Sequence, residues 1–286
     1  MTGWLEQEPL LRLIPFVGIF VLMALWEIMA PRRPLKVAKP YRWVNNLGII
    51  ALNSLLLRLI FPGAAVGVAL FVETQGWGLF QLAPLSEWAP WLKLIIGVLA
   101  LDFVIWVQHV LFHAVPALWR LHRLHHADQD FDVTTGLRFH PLEILLSMVI
   151  KAGVILMLGV PVAAVLLFEI LLNATSMFNH GNVRIPARLD RWLRWLVVTP
   201  DMHRVHHSWY PEETNSNFGF NLPWWDRLLG TYRAQPHDGH LDMTIGINQF
   251  RERRDLRLDR LLIQPFVAPV RNYLLPAQSE DGFPNE

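Results

Sequence analysis

Cysteine is absent from this 286-residue chain, and charged residues are scarce. Without cysteine the chain has no disulfide, no thiolate nucleophile, no iron–sulfur cluster and no thiolate-ligated haem. Any electrons that its chemistry needs must therefore come from another protein. Charged residues make up 17% of the sequence and the net charge is +1. Because no basic run is interleaved with aromatic residues, we expect no nucleic-acid partner.

Three familiar catalytic motifs are also missing. The sequence contains no His-Glu-x-x-His, no Gly-x-Ser-x-Gly and no P-loop. A zinc protease would lack its general base, an α/β-hydrolase its nucleophile, and a P-loop enzyme its phosphate cradle. These classes are excluded as interpretations of the chain.

Apolar residues are abundant instead. Hydrophobic residues make up 53% of the chain and the mean hydropathy is +0.29, which is typical of membrane proteins. Thirteen tryptophans and sixteen phenylalanines fit interfacial belts as well as cores. Long apolar runs predict three single membrane spans and one hairpin. These segments are 10–30, 44–72, 91–112 and the hairpin 142–177.

A basic loop sets the predicted orientation. Five basic residues follow the first span: Arg32, Arg33, Lys36, Lys39 and Arg42. The positive-inside rule places this loop in the cytoplasm and the N-terminus outside. The hairpin is interrupted by Gly159-Val160-Pro161 and returns the chain to the side that it left. Because Lys151 lies in its first arm, both a full crossing and a re-entrant hairpin remain open.

Twelve histidines are present, and eight of them fall into three tight clusters. The clusters are His109-x-x-x-His113, His122-Arg-Leu-His125-His126 and His203-Arg-Val-His206-His207. Residues three and four apart share one face of a helix, so each cluster can direct several imidazoles at a metal ion. This number of neutral nitrogen donors favours a two-metal centre over a single catalytic zinc.

Four further histidines lie outside the clusters. His140 stands just before the hairpin and His180 just after it, which makes ten candidate ligands. Ten donors would supply two metal ions with about five nitrogens each. His237 and His240 lie in a polar stretch, and we expect both to be exposed to solvent.

Two acids lie within the predicted spans. Asp102 precedes His113 by eleven residues and Glu169 precedes His180 by the same number, so each acid shares a helical face with its histidine. We expect both acids to lie below the metal centre, where they order a ligand or line a polar part of a substrate cavity. The alternative is an interhelical contact without a catalytic part. Arg58 lies at a comparable depth and is the expected partner of Asp102.

At these positions the chain resembles the fatty acid hydroxylase/sterol desaturase superfamily of membrane diiron oxidases. Within it, the chain is most similar to the bacterial members that resemble alkylglycerol monooxygenase. The resemblance covers about 102–233. Its matching pieces are the three histidine clusters, Arg138-x-His140-Pro141-x-Glu143, Asn179-His180, Asn217-Phe218-Gly219 and Trp225-Asp226-Arg227-Leu228-Leu229-Gly230-Thr231-Tyr232.

The resemblance implies an O2-dependent oxidation of a lipid C–H bond at a non-haem diiron centre. The ten histidines would hold two iron ions, for which zinc or manganese can substitute. A ferredoxin, a cytochrome b5-like protein or a reductase would supply the electrons. Many soluble diiron proteins take carboxylate ligands from Glu-x-x-His helices, and the clusters of this chain offer none. Glu143 and Asp226 are therefore expected to hold His140 or the closing segment in place.

We predict an all-α, multi-pass integral membrane helical bundle with a cytosolic, His-rich metal-binding cap, in a bacterial inner membrane. N-terminal transmembrane helices occupy 1–100 and the catalytic domain, with its hairpin, occupies 101–233. A C-terminal amphipathic segment and tail occupy 234–286. Within it, 249–275 either lies on the membrane surface or packs on the domain, and the last ten residues are expected to be disordered.

The predicted function is lipid hydroxylation by a diiron monooxygenase. Desaturation, or ether-bond cleavage after hydroxylation, is an alternative outcome on the same fold. A membrane metal transporter or metal-storage protein is the alternative from another class. Transport predicts ligands strung through the spans, whereas these clusters gather at one face, so the enzyme is favoured.

Overall fold

The described part of the chain is built from helices. A computed structural model describes residues 7–270 and 273–275. Within these residues there are two isolated β-bridges, Pro31–Val183 and Ser208–Ile245, and no strand. The expectation of an all-α fold is confirmed. The last ten residues, for which disorder is expected, lie outside the described residues.

The helices fall into a long set and a short set. The longer helices are α1 (Glu8–Met29), α2 (Lys39–Ile60), α3 (Ala64–Gln75), α4 (Pro90–Ala114), α5 (Pro116–His126), α6 (Pro141–Leu158), α7 (Val162–Asn179), α8 (Ala187–Leu193) and α9 (Pro200–His206). The shorter ones are α10 (Pro211–Thr214), α11 (Trp224–Leu228), α12 (Gly239–Asp242) and α13 (Leu258–Ile263). Proline lies in the first turn of α1, α2, α4, α5 and α6, where its missing N–H is not needed.

Five segments are long and apolar enough to cross a bilayer. They are Glu8–Met29, Lys39–Gln81, Pro90–Ala114, Pro141–Leu158 and Val162–Asn179. The predicted multi-pass membrane bundle is confirmed. α3, α4, α6 and α7 share its largest apolar core, which includes the buried Leu101, Met148 and Phe168.

The second predicted span, 44–72, is not one straight helix. α2 ends at Ile60 and α3 begins at Ala64, with Pro62-Gly63 between them. Proline lacks the N–H that a continuing helix needs, and the φ of Ala64 is 47°. The two helices together form one 43-residue membrane segment that ends at Gln81.

α6 and α7 form the two arms of the predicted hairpin. Gly159 ends α6 with a φ of 70°, a left-handed conformation that glycine adopts without strain. Pro161 then precedes α7. Each arm has 18 residues. A helix of that length measures about 27 Å, close to the roughly 30 Å of a bilayer core.

One end of the bundle carries the tip of the hairpin, and the other end carries the histidine clusters. At one end, Gly78 packs so closely on the hairpin tip that a Cβ on it would lie 2.1 Å from the Gly159 nitrogen. At the other end, the loop after α1 pairs with the segment after α7 through the Pro31–Val183 bridge. α4 and α7 both run towards this second end, where the histidine clusters meet.

The segment 249–275 does not form one amphipathic helix. Two 3-10 turns, Arg253–Leu256 and Gln264–Phe266, flank α13. Leu261 of α13 is buried against Leu124 of α5, and the Arg123 guanidinium donates a hydrogen bond to the Gln264 carbonyl oxygen. Of the two interpretations of this segment, packing on the domain fits this arrangement.

Candidate metal centre

Nine histidines meet in two buried groups. The first group is His109, His113, His122, His126 and His206. The second group is His125, His180, His203 and His207. Within each group, one nitrogen of every ring lies within 4.8 Å of the corresponding nitrogens of the others. Two compact donor sets therefore lie side by side.

Helical spacing explains why each three-histidine cluster divides between the groups. On α5, His122 and His126 are four residues apart and belong to the first group, while His125 belongs to the second. At the end of α9 the arrangement is reversed: His206 alone belongs to the first group. At 3.6 residues per turn, residues four apart differ by only about 40° around the helix, whereas the third histidine lies about 60° from one of them and about 100° from the other. α5 and α9 thus each contribute to both groups.

Hydrogen bonds fix the tautomers of two rings in the first group. His109 Nδ1 lies 2.7 Å from the Phe218 carbonyl oxygen, and His206 Nδ1 lies 2.7 Å from that of Ser216. A carbonyl oxygen can only accept, so each Nδ1 carries the proton and each Nε2 presents a lone pair. These two Nε2 atoms are 3.0 Å apart. Two lone pairs at that distance repel each other unless a cation is shared between them.

The second group repeats this pattern. His180 Nδ1 donates to the Ser176 carbonyl oxygen at 2.7 Å and His125 Nδ1 to that of Arg138 at 3.3 Å. Their Nε2 atoms, again bearing lone pairs, are 3.1 Å apart. In each group, therefore, two Nε2 atoms that both carry lone pairs face each other, and neither has a proton to donate to the other.

Burial keeps these rings neutral. Desolvation lowers the pKa of His122 and of His180 to about 3, and lowers the pKa of His206 well below its ordinary value. Neutral imidazoles with convergent lone pairs are the donor set of a transition-metal site. Metal–nitrogen bonds of about 2.1 Å at right angles place neighbouring nitrogens roughly 3.0 Å apart. The observed Nε2–Nε2 contacts of 3.0–3.2 Å match that spacing, so the residues fit metal ions.

Two side chains form hydrogen bonds with Nδ1 of rings in the first group. Glu143 Oε1 lies 2.7 Å from His122 Nδ1, and Asn215 Oδ1 lies 3.2 Å from His113 Nδ1. A hydrogen bond at Nδ1 fixes the ring and leaves Nε2 free for a metal. The ring that the Glu143 carboxylate orients through Nδ1 is that of His122, a member of the first group. Asn215 was not anticipated from the sequence.

Asp226 is hydrogen-bonded to the closing segment. Its carboxylate accepts hydrogen bonds from the backbone N–H groups of Phe218 and Gly219, both at 2.8 Å, and from the Trp106 indole at 3.0 Å. The Phe218 carbonyl oxygen in turn orients His109. Asp226 therefore positions a metal-facing ring through the backbone and does not contact the metal centre itself.

His140 belongs to neither group. Its Nδ1 accepts a hydrogen bond from the Leu142 N–H at 3.1 Å, which caps α6, and its Nε2 lies 3.2 Å from the Leu262 carbonyl oxygen. Both ring nitrogens are engaged, so His140 offers no lone pair to a metal. The expected set of ten ligands is corrected to nine candidates, five in one group and four in the other.

Asp102 does not pair with Arg58. The Trp225 indole donates to Asp102 Oδ2 at 2.8 Å, whereas Arg58 Nη1 donates to the Pro62 carbonyl oxygen at 2.9 Å. Asp102 therefore ties α4 to α11. This is the interhelical contact that was the alternative interpretation of this acid.

Glu169 combines both interpretations that the sequence allows. Its carboxylate forms ion pairs with Lys151 and with Arg12, each at 2.8 Å, and so links α7 to α6 and α1. All three side chains also border a cavity of about 550 Å³. Glu169 is thus an interhelical contact at the cavity wall.

The two remaining histidines differ from each other. The side chain of His237 is 72% exposed, as expected. His240 is buried, and its Nε2 lies 3.7 Å from Asp201 Oδ2. The expectation of exposure is wrong for His240, because α12 packs against α9.

A mostly apolar cavity of about 550 Å³ leads to the first group. It lies between α1, α2, α4, α6 and α7 and is bordered by His109, His122 and Glu143. No histidine of the second group borders it among residues 7–270. Its volume falls within the range of small-molecule sites, about 300–1,000 Å³.

A buried charge network behind the second group was missed in the sequence. Arg42 pairs with Asp128 at 2.7 Å and with Asp132, and Arg138 lies 3.9 Å from Asp128. All four side chains are fully buried. The alternating aspartates that directly follow the last histidine of α5 were the available signal.

Comparison with known proteins agrees with this site. Residues 94–231 match the family model described as fatty acid hydroxylase. Ornithine lipid hydroxylase OlsE from Rhizobium tropici is 30% identical over 161 residues, which cover 56% of this chain and 47% of that protein. Alkylglycerol monooxygenase from Xenopus tropicalis is 28% identical over 217 residues, 72% of this chain and 45% of that protein.

A third relative is cholesterol 25-hydroxylase from Rattus norvegicus, 27% identical over 150 residues, 51% of this chain and 49% of that protein. The chain spans about half the length of the curated relatives that it matches. No solved structure matches it at a significant level. The superfamily resemblance read from the histidine clusters is confirmed by these matches.

Proposed function

We propose that this chain, which belongs to the fatty acid hydroxylase superfamily over residues 94–231, is a membrane-bound lipid hydroxylase that uses O2 and two iron ions. One observation carries the proposal: nine buried histidines form two adjacent groups, and His109 and His122 of the first group border a mostly apolar cavity. The relatives support it, since their names describe hydroxylases and monooxygenases of an ornithine lipid, of alkylglycerols and of cholesterol.

The two histidine groups would hold one ion each. Bound iron would supply the oxidation of a C–H bond by O2, which no side chain can perform alone. Imidazoles are neutral ligands, so the first and second groups would leave the charge of the ions uncompensated. Glu143, which accepts a hydrogen bond from His122 at 2.7 Å, would bring one negative charge to the edge of the first group, because bound metal ions favour the ionised form of its carboxyl. It would raise the basicity of that ring and keep its Nε2 directed at the ion.

The cavity would bind the hydrocarbon part of the lipid. Its wall is mostly apolar and reaches His109 and His122, so a chain entering from the bilayer would end beside the first group. Phe139 and Phe220 border the cavity near the metal centre, with the Phe139 ring stacked 4.5 Å from that of His125. These rings would exclude water from the reacting carbon and separate the substrate from the second group.

The metal-bearing end would face the cytoplasm of a bacterium, with the N-terminus on the outside. The basic loop after α1 lies at this end and supports that orientation. Lipid would reach the first group through the membrane, and an external electron donor would approach from the cytoplasm. A ferredoxin, a cytochrome b5-like protein or a reductase has the required chemistry.

The proposal is tested by joining metal analysis to lipid turnover. The protein is purified into nanodiscs, loaded with iron anaerobically and supplied with O2, a reductant and candidate lipids. We expect two irons per chain and a lipid product that has gained one oxygen atom in mass spectrometry. A product that has lost two hydrogen atoms would assign desaturation instead. Absence of both bound iron and oxidised lipid would overturn the proposal.

A matched histidine pair controls for nonspecific metal binding. His206→Ala removes a ring of the first group and should abolish turnover and lower bound iron. His237→Ala removes an exposed ring and should change neither. Iron loss in the second variant would show that iron binds outside the two groups.

A further inference from the structure

Three buried oxygen atoms at the cavity wall have no hydrogen-bond donor among the described residues. They are Asn53 Oδ1, Gln108 Oε1 and Glu143 Oε2. Their residues are 5%, 9% and 3% exposed, and all three border the cavity together with His109 and His122. Buried acceptors are normally paired, so a set of them on one cavity wall requires an explanation.

The chemical identity of two of these atoms is fixed by their neighbours. The Asn53 Nδ2 group donates to the Phe139 carbonyl oxygen at 2.9 Å, so the other amide atom is the oxygen. Glu143 Oε1 accepts from His122 Nδ1, and with metal ions bound in the first group their positive charge keeps the carboxyl ionised, so that Oε2 is a second acceptor. Both atoms are therefore acceptors that cannot pair with each other. The argument rests on these two, and Gln108 adds a third polar group.

These acceptors lie at the metal end of the cavity. Glu143 contacts a ring of the first group, and Asn53 donates to the carbonyl oxygen of Phe139, which lies four residues before Glu143 in the chain. Farther along the cavity the wall includes Phe16, Leu57 and Met148. The wall thus carries polar acceptors beside the metal centre, while its apolar side chains offer a hydrocarbon chain a surface to pack on; the ion pairs of Glu169 with Lys151 and Arg12 form a separate charged part of the wall.

A buried acceptor without a partner destabilises the protein, so a ligand that donates a hydrogen bond to it regains that stabilisation on binding. A ligand without a donor would leave the acceptors unpaired and bind more weakly. Sites built in this way discriminate strongly against analogues that lack the hydrogen-bonding group.

We propose that Asn53 and Glu143, with Gln108, form a subsite for a hydrogen-bond donor of the substrate, a hydroxyl or an N–H group. The substrate is then a lipid whose donor group lies next to the carbon that is oxidised, with its hydrocarbon chain extending away along the cavity. A chain oxidised far from any polar group does not fit this arrangement. The inference rests on the proposed function, since it takes the cavity as the substrate site.

The inference is tested by binding without turnover. Iron-loaded protein in nanodiscs is kept anaerobic, and two probes compete with a fluorescent lipid: 1-O-hexadecylglycerol, with free hydroxyls, and its di-O-methyl ether. The net contribution of one hydrogen bond corresponds to a factor of about five in affinity, so we expect the free diol to bind roughly fivefold more tightly. Equal binding of the two probes would overturn the inference and indicate that water serves the acceptors.

A matched asparagine pair locates the subsite. Asn173 also borders the cavity and also donates through Nδ2 to a backbone carbonyl oxygen, that of Glu169, at 2.7 Å. Asn53→Leu should remove most of the preference for the diol, whereas Asn173→Leu should retain it. Equal losses from both variants would contradict a subsite at the metal end.

Gln108→Met provides the variant that is safest for folding, because Gln108 Oε1 has no hydrogen-bond partner among the described residues. It should lower the diol preference severalfold while leaving the thermal midpoint unchanged. If the protein oxidises lipids but does not prefer the diol, the subsite is ruled out and the proposed function stands. If the protein prefers the diol but binds no iron, the proposed function is ruled out and the subsite is supported.

Discussion

The first histidine group faces the cavity, whereas the second group is closed off behind buried charge. His109 and His122 border the cavity, and Glu143 stands beside them. Behind the second group, His125 donates to the carbonyl oxygen of Arg138, which belongs to the network around Asp128. Two metal sites made from the same ring type would therefore perform different tasks, one beside the substrate and one removed from it.

The two groups also differ in how their rings are held. In the first group a carboxylate and an amide oxygen accept from Nδ1 of His122 and His113. In the second group the acceptors are backbone carbonyl oxygens, and Nδ1 of His203 and of His207 has no partner among the described residues. A carboxylate partner makes an imidazole a stronger donor, so the electronic tuning is concentrated where the substrate binds.

The largest expected effect comes from removing one ring at the centre of each group. His109→Ala and His180→Ala each delete an Nε2 that contacts at least two others in its group. Each variant should lose about half of the bound metal and all detectable hydroxylation, because a site short of one ligand binds its ion weakly. Metal analysis and lipid mass spectrometry measure both effects.

His140→Ala is the matched control for these two variants. His140 is also mostly buried, but its ring nitrogens are engaged by Leu142 and Leu262. It should keep its full metal content. If it lost as much metal as His180→Ala, the division into groups of five and four would be wrong.

The next effect concerns the charge network. Arg42→Gln would leave Asp128 and Asp132 buried without their main cation, since Arg42 pairs with both. Removing one partner of a buried ion pair costs about 3–5 kcal/mol. We expect a lower thermal midpoint and earlier loss of metal from the second group than from the first.

Arg58→Gln provides the comparison, since Arg58 is exposed and bonds only to the Pro62 carbonyl oxygen in residues 7–270. It should shift the thermal midpoint far less. A loss of metal from both groups at the same temperature in Arg42→Gln would show that the network supports the whole centre.

The features predicted from the sequence are those that local patterns encode. Apolar runs predicted the membrane segments, and the Gly159-Val160-Pro161 break predicted the turn between α6 and α7. Helical spacing predicted that the histidine clusters present several rings to metal. The same spacing allows each cluster to divide between two histidine groups. This division becomes apparent only when the second group is seen to lie beside the first.

The missed features depend on contacts between distant parts of the chain. Arg42 and Asp128 are 86 residues apart, and no local pattern pairs them. The exclusion of His140 follows from its cap on α6 and its contact with Leu262, and the burial of His240 follows from α12 packing on α9. A lone histidine carries no spacing signal, so its surroundings decide its role.

A smaller effect is expected from the carboxylate of the first group. Glu143→Gln retains the shape of the side chain but removes the charge beside His122. Loss of such a partner typically lowers metal affinity or activity by about 10- to 100-fold. The affinity of the second group, which has no carboxylate hydrogen-bonded to a ring in the described residues, should be unchanged.

An iron titration that resolves the two sites would measure the iron affinity of each group separately. The exposed Glu73→Gln at the opposite end of the bundle serves as the control and should change neither affinity. An equal drop at both sites in Glu143→Gln would show that the charge acts on the pair of ions as a unit.

The smallest effect concerns the cover of the second group, where α12 lies on α9. Burial lowers the pKa of His240 from 6.5 to about 3, despite the nearby Asp201 carboxylate. The unfolded chain therefore takes up a proton below pH 6.5 that the folded chain refuses until about pH 3. Stability is complete above 6.5 and falls as the pH decreases through that window, by about 1–2 kcal/mol between pH 7 and pH 5.

His240→Leu should remove this part of the acid sensitivity, so its thermal midpoint should fall less between pH 7 and pH 5 than that of the unaltered protein. His237→Leu, at an exposed position, should titrate like the unaltered protein. Because α9 carries His203 on the same helix as Asp201, acid should release metal from the second group before the first. Identical pH profiles for the two leucine variants would show that the cover of the second group opens freely to water, and the contrast between a substrate-facing group and a closed one would then be lost.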